Sequence, residues 1–307
     1  MIFHARAGIA LLITLMFVLV ITVAIGYGLK TLNKTTQSVS ASKMLYQSTA
    51  VVEDLLKILN TAPQIAQLRE SNNTNAQQEL YAFLSSAEII PLKMQDLDLL
   101  ITIKSARAKF NPNILAKNRQ AVENLKVLVN DYGVASNYVD ILQECMREYK
   151  VKNLYNNYAS GLLDENPTLF ADYIASKKQL KIINAYYKKE YNDEALQRID
   201  FDALFYYSKD VNMAVDLNYA TPEVWQLLLQ TSAERARELS ANAGGYDSIE
   251  SLGLSDDEKK MLKRFKTSFY EPYLYVTVQI NGQKNHAKIA FEYDIKKKKG
   301  SNFVFEI

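Results

Sequence analysis

The apolar positions of this chain change period along its length. From Ala7 to Leu29 they are nearly continuous, giving 23 residues without a charge between Arg6 and Lys30. A membrane-spanning helix needs ~20 apolar residues, so this stretch predicts one transmembrane span. It exceeds the ~7–15 apolar residues of a cleaved secretory signal, and Ala24-Ile25-Gly26 is a poor imitation of a small-x-small cleavage site. From Met44 onward the apolar residues thin to a stripe. Met44, Leu45, Ser48, Val51, Val52, Leu55, Leu56 and Leu59 recur at three and four, with no proline before Pro63. Ile9 to Asn60 therefore reads as one helical rod, roughly 78 Å long at ~1.5 Å per residue. Its first half is apolar all round and its second half is amphipathic.

A period of two takes over at Leu97 to Lys109, read as extended, where Leu99, Ile101 and Ile103 alternate with Leu100, Thr102 and Lys104. It returns near the C-terminus, where Leu274, Val276, Val278 and Ile280 alternate with Tyr273, Tyr275, Thr277 and Gln279. Asn281-Gly282 predicts a tight type I′ hairpin, because both central positions of that turn need positive φ. Ala287 to Ile295 follows as a second strand, Lys296 to Asn302 as a basic loop, and Phe303 to Ile307 as a third strand. Between the two extended regions, Leu115 to Lys266 has helical periodicity. Strand, helices, then strands predicts a helical body inserted into a small antiparallel sheet, an α+β arrangement. The divisions expected are an N-terminal helix over 9–60 with its transmembrane part at 9–29, a sheet domain from 61–114 and 267–307, and an inserted helical domain at 115–266.

Composition narrows the chemistry. With 307 residues the chain holds one large or two modest domains, and only 10 Gly and 6 Pro favour long helices over a turn-rich all-β fold. The 36 basic and 34 acidic residues nearly cancel, so no electrostatic footprint marks a nucleic-acid binder. Of the two His and one Cys, His4 precedes the span, which leaves His286 and Cys145. These cannot complete a structural zinc site, and one Cys makes no intrachain disulfide. A membrane-anchored periplasmic hydrolase is the reading from the enzyme class, disfavoured because no nucleophile and base stand at motif spacing. Charge does not orient the span, since Arg6 and the amino terminus stand against Lys30, Lys34 and Lys43.

The segment Arg6-Ala7-Gly8-Ile9-Ala10-Leu11-Leu12-Ile13-Thr14-Leu15 resembles the start of a type IV prepilin: a short basic leader, 1–8 here, ending in Gly, then an apolar helix that continues into the body. The resemblance implies that a prepilin peptidase cuts between Gly8 and Ile9 and methylates the new amino terminus. Most prepilins carry Glu as the fifth mature residue, and here that position is Ile13. This departure is similar to the K-type minor pseudopilins of type II secretion systems, the general secretion pathway protein K family. Two further stretches resemble the same family. Ala108-Lys109-Phe110-Asn111-Pro112-Asn113-Ile114-Leu115 is similar to its strand end with two Asn, and Val215-Asp216-Leu217-Asn218-Tyr219-Ala220-Thr221-Pro222 to its Asn-x-Asn-x-Ala stretch, with Asp216 in place of the first Asn. Ala233 to Ala241, Tyr246 to Leu252 and Thr267 to Tyr270 follow in the family's order, as a SAM-like module over about 211–266 and a return to the sheet.

What the resemblance implies is a pilin-like sheet domain and a place at or near the tip of a periplasmic pseudopilus, helping to initiate its assembly and protein export. Expected partners are the I-type and J-type minor pseudopilins, the major pseudopilin, the prepilin peptidase and the inner membrane, with the C-terminal body in the periplasm and no nucleic acid. No cofactor is expected. Calcium is possible by resemblance, with ligands unassigned. A minor pilin of a type IV or DNA-uptake pilus uses the same leader and sheet and stays open as an alternative.

Other signals have plainer readings. The module from Ala220 to Phe265 shares the outline of a helix-hairpin-helix DNA binder, but Gln230-Thr231-Ser232-Ala233 lacks the hairpin glycine. Lys259, Lys260, Lys263 and Arg264 lie beside Asp256, Asp257 and Glu258. Ser255 and Glu258 have the spacing of a capping box. Lys296 to Lys299 reads as a solvated loop that blunts a sheet edge, rather than a lipid contact. Asp164-Glu165 and Asp193-Glu194 lack the alternating ligand spacing of a calcium loop. Tyr186-Tyr187 and Tyr206-Tyr207 read as core and rim residues, and Cys145 as a small buried hydrophobe.

Overall fold

The computed structural model describes residues 42–70, 73–86, 89–94, 97–146, 161–281 and 286–306. The expected leader, the cut at Gly8, Ile9 and Ile13, and the span at 9–29 lie outside the described residues. Among the described residues no helix is long and apolar enough to cross a membrane.

Helix α1 (residues 42–61) buries Met44, Ser48, Val51, Val52, Leu55 and Leu59. Leu45, read as part of that stripe, is 47% exposed, because a neighbour of Met44 points about 100° away from it around the helix. Helices α2 (Pro63–Glu70) and α3 (Asn73–Ser86) follow and bury Ile65, Leu68, Leu80 and Leu84. Arg69 fixes this corner. Its guanidinium donates to the carbonyls of Leu59 (2.9 Å), Asn60 (3.0 Å) and Ile295 (3.1 Å), so one side chain satisfies carbonyls at the end of α1 and joins that end to the sheet.

Strand β1 (Ile89–Met94) pairs antiparallel with β2 (Leu97–Ser105). Sequence reading misses β1 because Pro91 interrupts it, and proline is tolerated there only because β1 is an edge strand. Leu99, Ile101 and Ile103 of β2 are buried as the alternation predicts. The extended segment stops at Ser105 rather than reaching Lys109, because Arg107 turns inward and is 1% exposed.

The helical body then runs through a 3₁₀ turn (Pro112–Ala116), α4 (Arg119–Asp131), α5 (Asn137–Glu144), α6 (Leu162–Glu165), α7 (Lys177–Tyr191) and α8 (Phe201–Leu204). After β3 (Val215–Asp216) come α9 (Pro222–Leu229), α10 (Ala233–Ala241), α11 (Asp256–Leu262) and β4 (Thr267–Ser268). Side chains of Asn118, Ser176, Thr221 and Ser232 cap α4, α7, α9 and α10. Ser255 and Glu258 form the expected capping box on α11. The stretch from Leu115 to Lys266 is not wholly helical: Val215–Asp216 pairs in parallel with Thr267–Ser268. Two residues carry no period, so neither strand shows in the pattern. The return to the sheet at Thr267 is thus a return to this small ladder first.

Strands β5 (Tyr273–Asn281), β6 (His286–Asp294) and β7 (Lys299–Glu306) complete the antiparallel sheet in the order β1-β2-β5-β6-β7. Asn281 pairs with His286, so the connection spans 282–285 and Asn281 is the last ladder residue rather than the centre of a two-residue turn. Gly282 is outside the described residues. The third strand starts at Lys299 and not at Phe303, with Lys299 opposite Asp294 and Gly300 opposite Tyr293. Lys298, at φ 56°, takes the left-handed position that closes the turn. Gly300 passes close to Phe303 and to Leu56 of α1: an added Cβ would come within 2.6 Å of Phe303 Cζ and 2.9 Å of Leu56 Cδ2.

Two hydrophobic cores result. One packs α1, α2 and α3 on the inward residues of β2, β5 and β6. The other lies within the helical body around Trp225, Tyr138, Tyr187 and Phe110. The chain passes between them at residues 106–110.

Candidate functional site

The residues singled out in the sequence lie along that crossing. Asn111 is fully buried. Its amide donates to the carbonyls of Ser208 (2.9 Å) and Asp210 (3.0 Å), while its Oδ1 accepts from the backbone N–H of Asn113 (3.2 Å). Asn113 donates to the carbonyls of Ile174 (3.0 Å) and Ser208 (3.0 Å) and accepts from the N–H of Ile174 (2.7 Å). Asn111 and Asn113 thereby hold two separate loops, at Ile174 and at Ser208 to Asp210, against the start of the helical body. An aliphatic side chain here would leave those groups buried and unpaired, at about 1–3 kcal/mol each.

Asp216 and Asn218 form a second node. Asp216 is 0% exposed, and its carboxylate accepts from the N–H of Asn218 (3.1 Å) and of Glu271 (3.1 Å). Burial pushes its carboxyl up to about 7, against the pull of those two donors, and the nearby Glu271 adds to the rise. Asn218 donates to the carbonyls of Tyr246 (2.8 Å) and Phe269 (2.7 Å) and accepts from the N–H of Tyr246 (2.9 Å). This node pins the end of the helical module to the chain that re-enters the sheet. The N–H of Asp216 donates to the carbonyl of Arg107 (2.9 Å), and that of Thr221 to the carbonyl of Ala108 (3.2 Å). Ala220, buried, is the small residue at this close approach of two backbones.

Between the nodes sits a group that no local pattern in the sequence reveals. Arg107 Nη1 meets Glu292 Oε2 of β6 at 3.0 Å, with side chains 1% and 8% exposed. Nε and Nη2 of Arg107 have no hydrogen-bond partner among the described residues. Instead the guanidinium lies over the rings of Tyr273 (4.2 Å) and Tyr206 (5.3 Å), an arrangement that stabilises a desolvated cation. The partners are 185 positions apart, so no local spacing could reveal them.

The remaining candidates are dispersed. Glu165 pairs with Lys189 (2.8 Å) and Glu194 with Lys188 (2.7 Å), while Asp193 accepts from the N–H of Ala195 (2.7 Å). As placed, those carboxylates serve cations and a turn. No group of three or more His, Cys, Asp or Glu suited to a metal occurs among the described residues. Cys145, Tyr186 and Tyr187 are buried in the helical core. His286 is exposed at the start of β6, with Nδ1 3.0 Å from Asn281 Oδ1. Lys296, Lys297 and Lys298 occupy the β6–β7 turn, where Lys297 meets Asp294 at 3.5 Å. The basic run is therefore at the end of a hairpin rather than along a sheet edge. In the Ala220–Phe265 module, Gln230 at φ 50° makes the turn between α9 and α10, and Lys260 is paired with Asp257 at 2.9 Å.

No family model and no curated protein matches the chain. Among solved structures, it is similar to a chain in the crystal structure of the GspK-GspI-GspJ complex from the enterotoxigenic Escherichia coli type 2 secretion system. The TM-score is 0.60 at 12% identity, over 87% of this chain and 99% of that one. Identity that low shows shape rather than shared residues. The chain has a GspK-like pseudopilin fold.

Proposed function

We propose that this protein is a minor pseudopilin of a type II secretion system, placed at or near the tip of a periplasmic pseudopilus. The observation that carries the reading is the fold, shared over 99% of the matched chain, and the leader-like Arg6-Ala7-Gly8 ahead of an apolar segment agrees with it. The function is mechanical. The apolar half-helix holds the subunit in the inner membrane, with the body in the periplasm, until assembly; it then packs among equivalent helices of other subunits. The similar chain belongs to a crystallised GspK-GspI-GspJ complex, which supports I-type and J-type subunits as partners here. The prepilin peptidase and the major pseudopilin complete the set. With Ile at position 13, the helix carries no carboxylate awaiting the amino terminus of an adjacent subunit. Such a carboxylate is costly when its cationic partner is missing, so Ile13 suits a subunit with nothing stacked above it. The polar crossing at Arg107, Asn111 and Asp216 then gives the sheet and the helical body a fixed relative position.

The test has two parts. Mass spectrometry of the mature protein should find Ile9 as a methylated amino terminus, and Gly8→Glu should retain the leader; an intact Met1 in the wild type rejects the prepilin reading. Deletion of the protein should then abolish export of secreted proteins. Parallel loss of surface pili or of transformation, with export intact, assigns it to a type IV or DNA-uptake pilus instead.

A further inference from the structure

We infer that the helical body carries a docking groove for an extended acidic segment of a partner polypeptide, one apolar side chain of which enters the groove. The inference stands on the groove alone and does not rest on the secretion reading.

The groove opens between the 3₁₀ turn at Pro112–Ala116, the start of α4 and the chain after α11. Its inner part, about 180 Å³, is walled by Phe110, Ile114, Val211, Val215 and Phe265. Phe110 and Phe265 set its floor, held edge to face at 6.3 Å. A small-molecule site usually offers ~300–1,000 Å³, so this volume suits one side chain of something larger. Lys117 and Asn118 line both this inner part and an outer open hollow of about 540 Å³, which continues past Arg119, Gln120 and Arg264. Asn118 is fixed as the divide between the two: it accepts from the N–H of Ala121 and donates to the carbonyl of Arg264 (both 3.1 Å).

The rim is what chooses the occupant. Lys117, Arg119, Arg264 and Lys266 surround the opening, all exposed, and Glu123 is the one acidic residue lining it. None of these four cations pairs with a carboxylate among the described residues, although Lys126, Lys177, Lys188 and Lys189 elsewhere on the same body do. Arg264 donates to Gln120 Oε1 and Lys266 to the carbonyl of Asn212 (2.6 Å), but these neutral acceptors leave both charges uncompensated. In a chain whose charges nearly cancel, four cations without a carboxylate partner among the described residues make a charge-complementary frame for carboxylates flanking an apolar residue. The rim cations alone could also meet a phosphate, but the apolar wall of Phe110, Ile114, Val211, Val215 and Phe265 behind them calls for a side chain, which favours a polypeptide over a nucleic acid.

The experiment uses the full-length protein in non-ionic detergent and fluorescence anisotropy of a labelled peptide, a Phe flanked on both sides by Glu and Asp. The acidic Phe peptide should bind, more weakly as salt rises. The charge-reversed pair Lys117→Glu with Arg264→Glu, both exposed positions, should weaken binding by about tenfold or more, as loss of several rim attractions requires. Val211→Trp, which plugs the half-buried wall from its open side, should weaken it independently of salt. Circular dichroism melts confirm that each variant is folded. If Val211→Trp fails to fold, replacing the peptide's Phe by Ser tests the same apolar contact on the wild type. Three results overturn the inference: no binding of the acidic peptide, equal binding of the Ser peptide, or binding indifferent to the charge reversal. Tighter binding of a single-stranded oligonucleotide than of any peptide overturns it in favour of nucleic acid.

Discussion

The sheet core and the helical core are built from much the same apolar residues, yet they solve the backbone problem differently. In the sheet, each strand satisfies its neighbour's N–H and C=O groups, and side chains have only to alternate. The helical core is assembled from short helices, some as short as four residues, α6 and α8 among them. Every helix end leaves up to four N–H or C=O groups without an intrahelical partner. Buried amides take up that work. Asn111, Asn113, Asn124, Gln179 and Asn218 are all nearly inaccessible, and Asn124 donates to the carbonyls of Leu227 (2.7 Å) and Leu228 (3.3 Å) at the end of α9. A ladder is a repeating solution and tolerates substitution; a set of individual amides is a list of specific ones. The helical body should therefore lose stability at single polar positions, and the sheet mainly at apolar ones.

The two cores meet at Arg107 and Glu292, and that pair decides whether the contrast is one of architecture or of independent units. Removing one member of a buried ion pair leaves the other charge desolvated, at about 3–5 kcal/mol. Arg107→Ala also removes the cation held between Tyr206 and Tyr273. The variant should unfold in two calorimetric transitions where the wild type shows one, because coupling between the cores is lost along with the pair. Replacing both members, Arg107→Met with Glu292→Met, should recover most of the stability. A single, merely lowered transition in Arg107→Ala would mean that the cores are coupled by the backbone crossing rather than by the pair.

Asp216 sharpens the contrast on the helical side, where among the described residues it is the one buried carboxyl among amides. Its pKa, pushed up to about 7 in the fold, lies above the ~3.9 of an unfolded chain, so between these values the folded form holds a proton that the unfolded form has released. The contribution is fully present below about pH 4 and is lost as pH rises through 7. Its ceiling is about 4 kcal/mol, at about 1.4 kcal/mol per tenfold. Asp216→Asn carries no such proton. Urea midpoints followed from pH 5 to pH 8 should fall more steeply in the wild type than in the variant, because Asp216→Asn removes both this proton and the charge that faces Glu271, whose carboxyl burial also raises. Parallel profiles would show that Asp216 stays ionised on its two N–H donors.

How much of this was legible in the sequence follows the same division. The alternations in β2 and β5 identified their buried faces residue by residue, because a period of two is visible within a single strand. The α1 stripe was visible too, apart from Leu45. What escaped was set by partners distant in sequence: the start of β7 at Lys299, fixed by pairing with Asp294 and by Leu56 beside Gly300; the β3–β4 ladder, too short for any period; and Arg107 with Glu292. Asn111, Asn113, Asp216 and Asn218 could be picked out by resemblance to a family, but the spacing of these residues did not disclose which carbonyls they hold. Those carbonyls belong to loops such as Ile174, Ser208 and Phe269, whose positions only the fold supplies.

The mildest test concerns a polar position that was fully readable. Ser255 accepts from the N–H of Glu258, and Glu258 accepts in return from the N–H of Ser255 (2.8 Å). Both partners lie within one turn, and Ser255 is exposed while Glu258 is half-buried, so water can reach the backbone groups that they cap. Ser255→Ala should therefore cost about 1 kcal/mol, a fall in melting temperature of roughly 2–4 °C for a body of this size. Its reach is what bears on the comparison. Helix α11 buries Leu262 in the helical core and takes no part in the sheet, so hydrogen exchange should quicken at the amides of α11 while those of β2, β5 and β6 keep their protection. Faster exchange in the sheet strands would mean that a local cap in the helical body is felt across the Arg107 crossing, and that the two cores, however differently specified, respond as one.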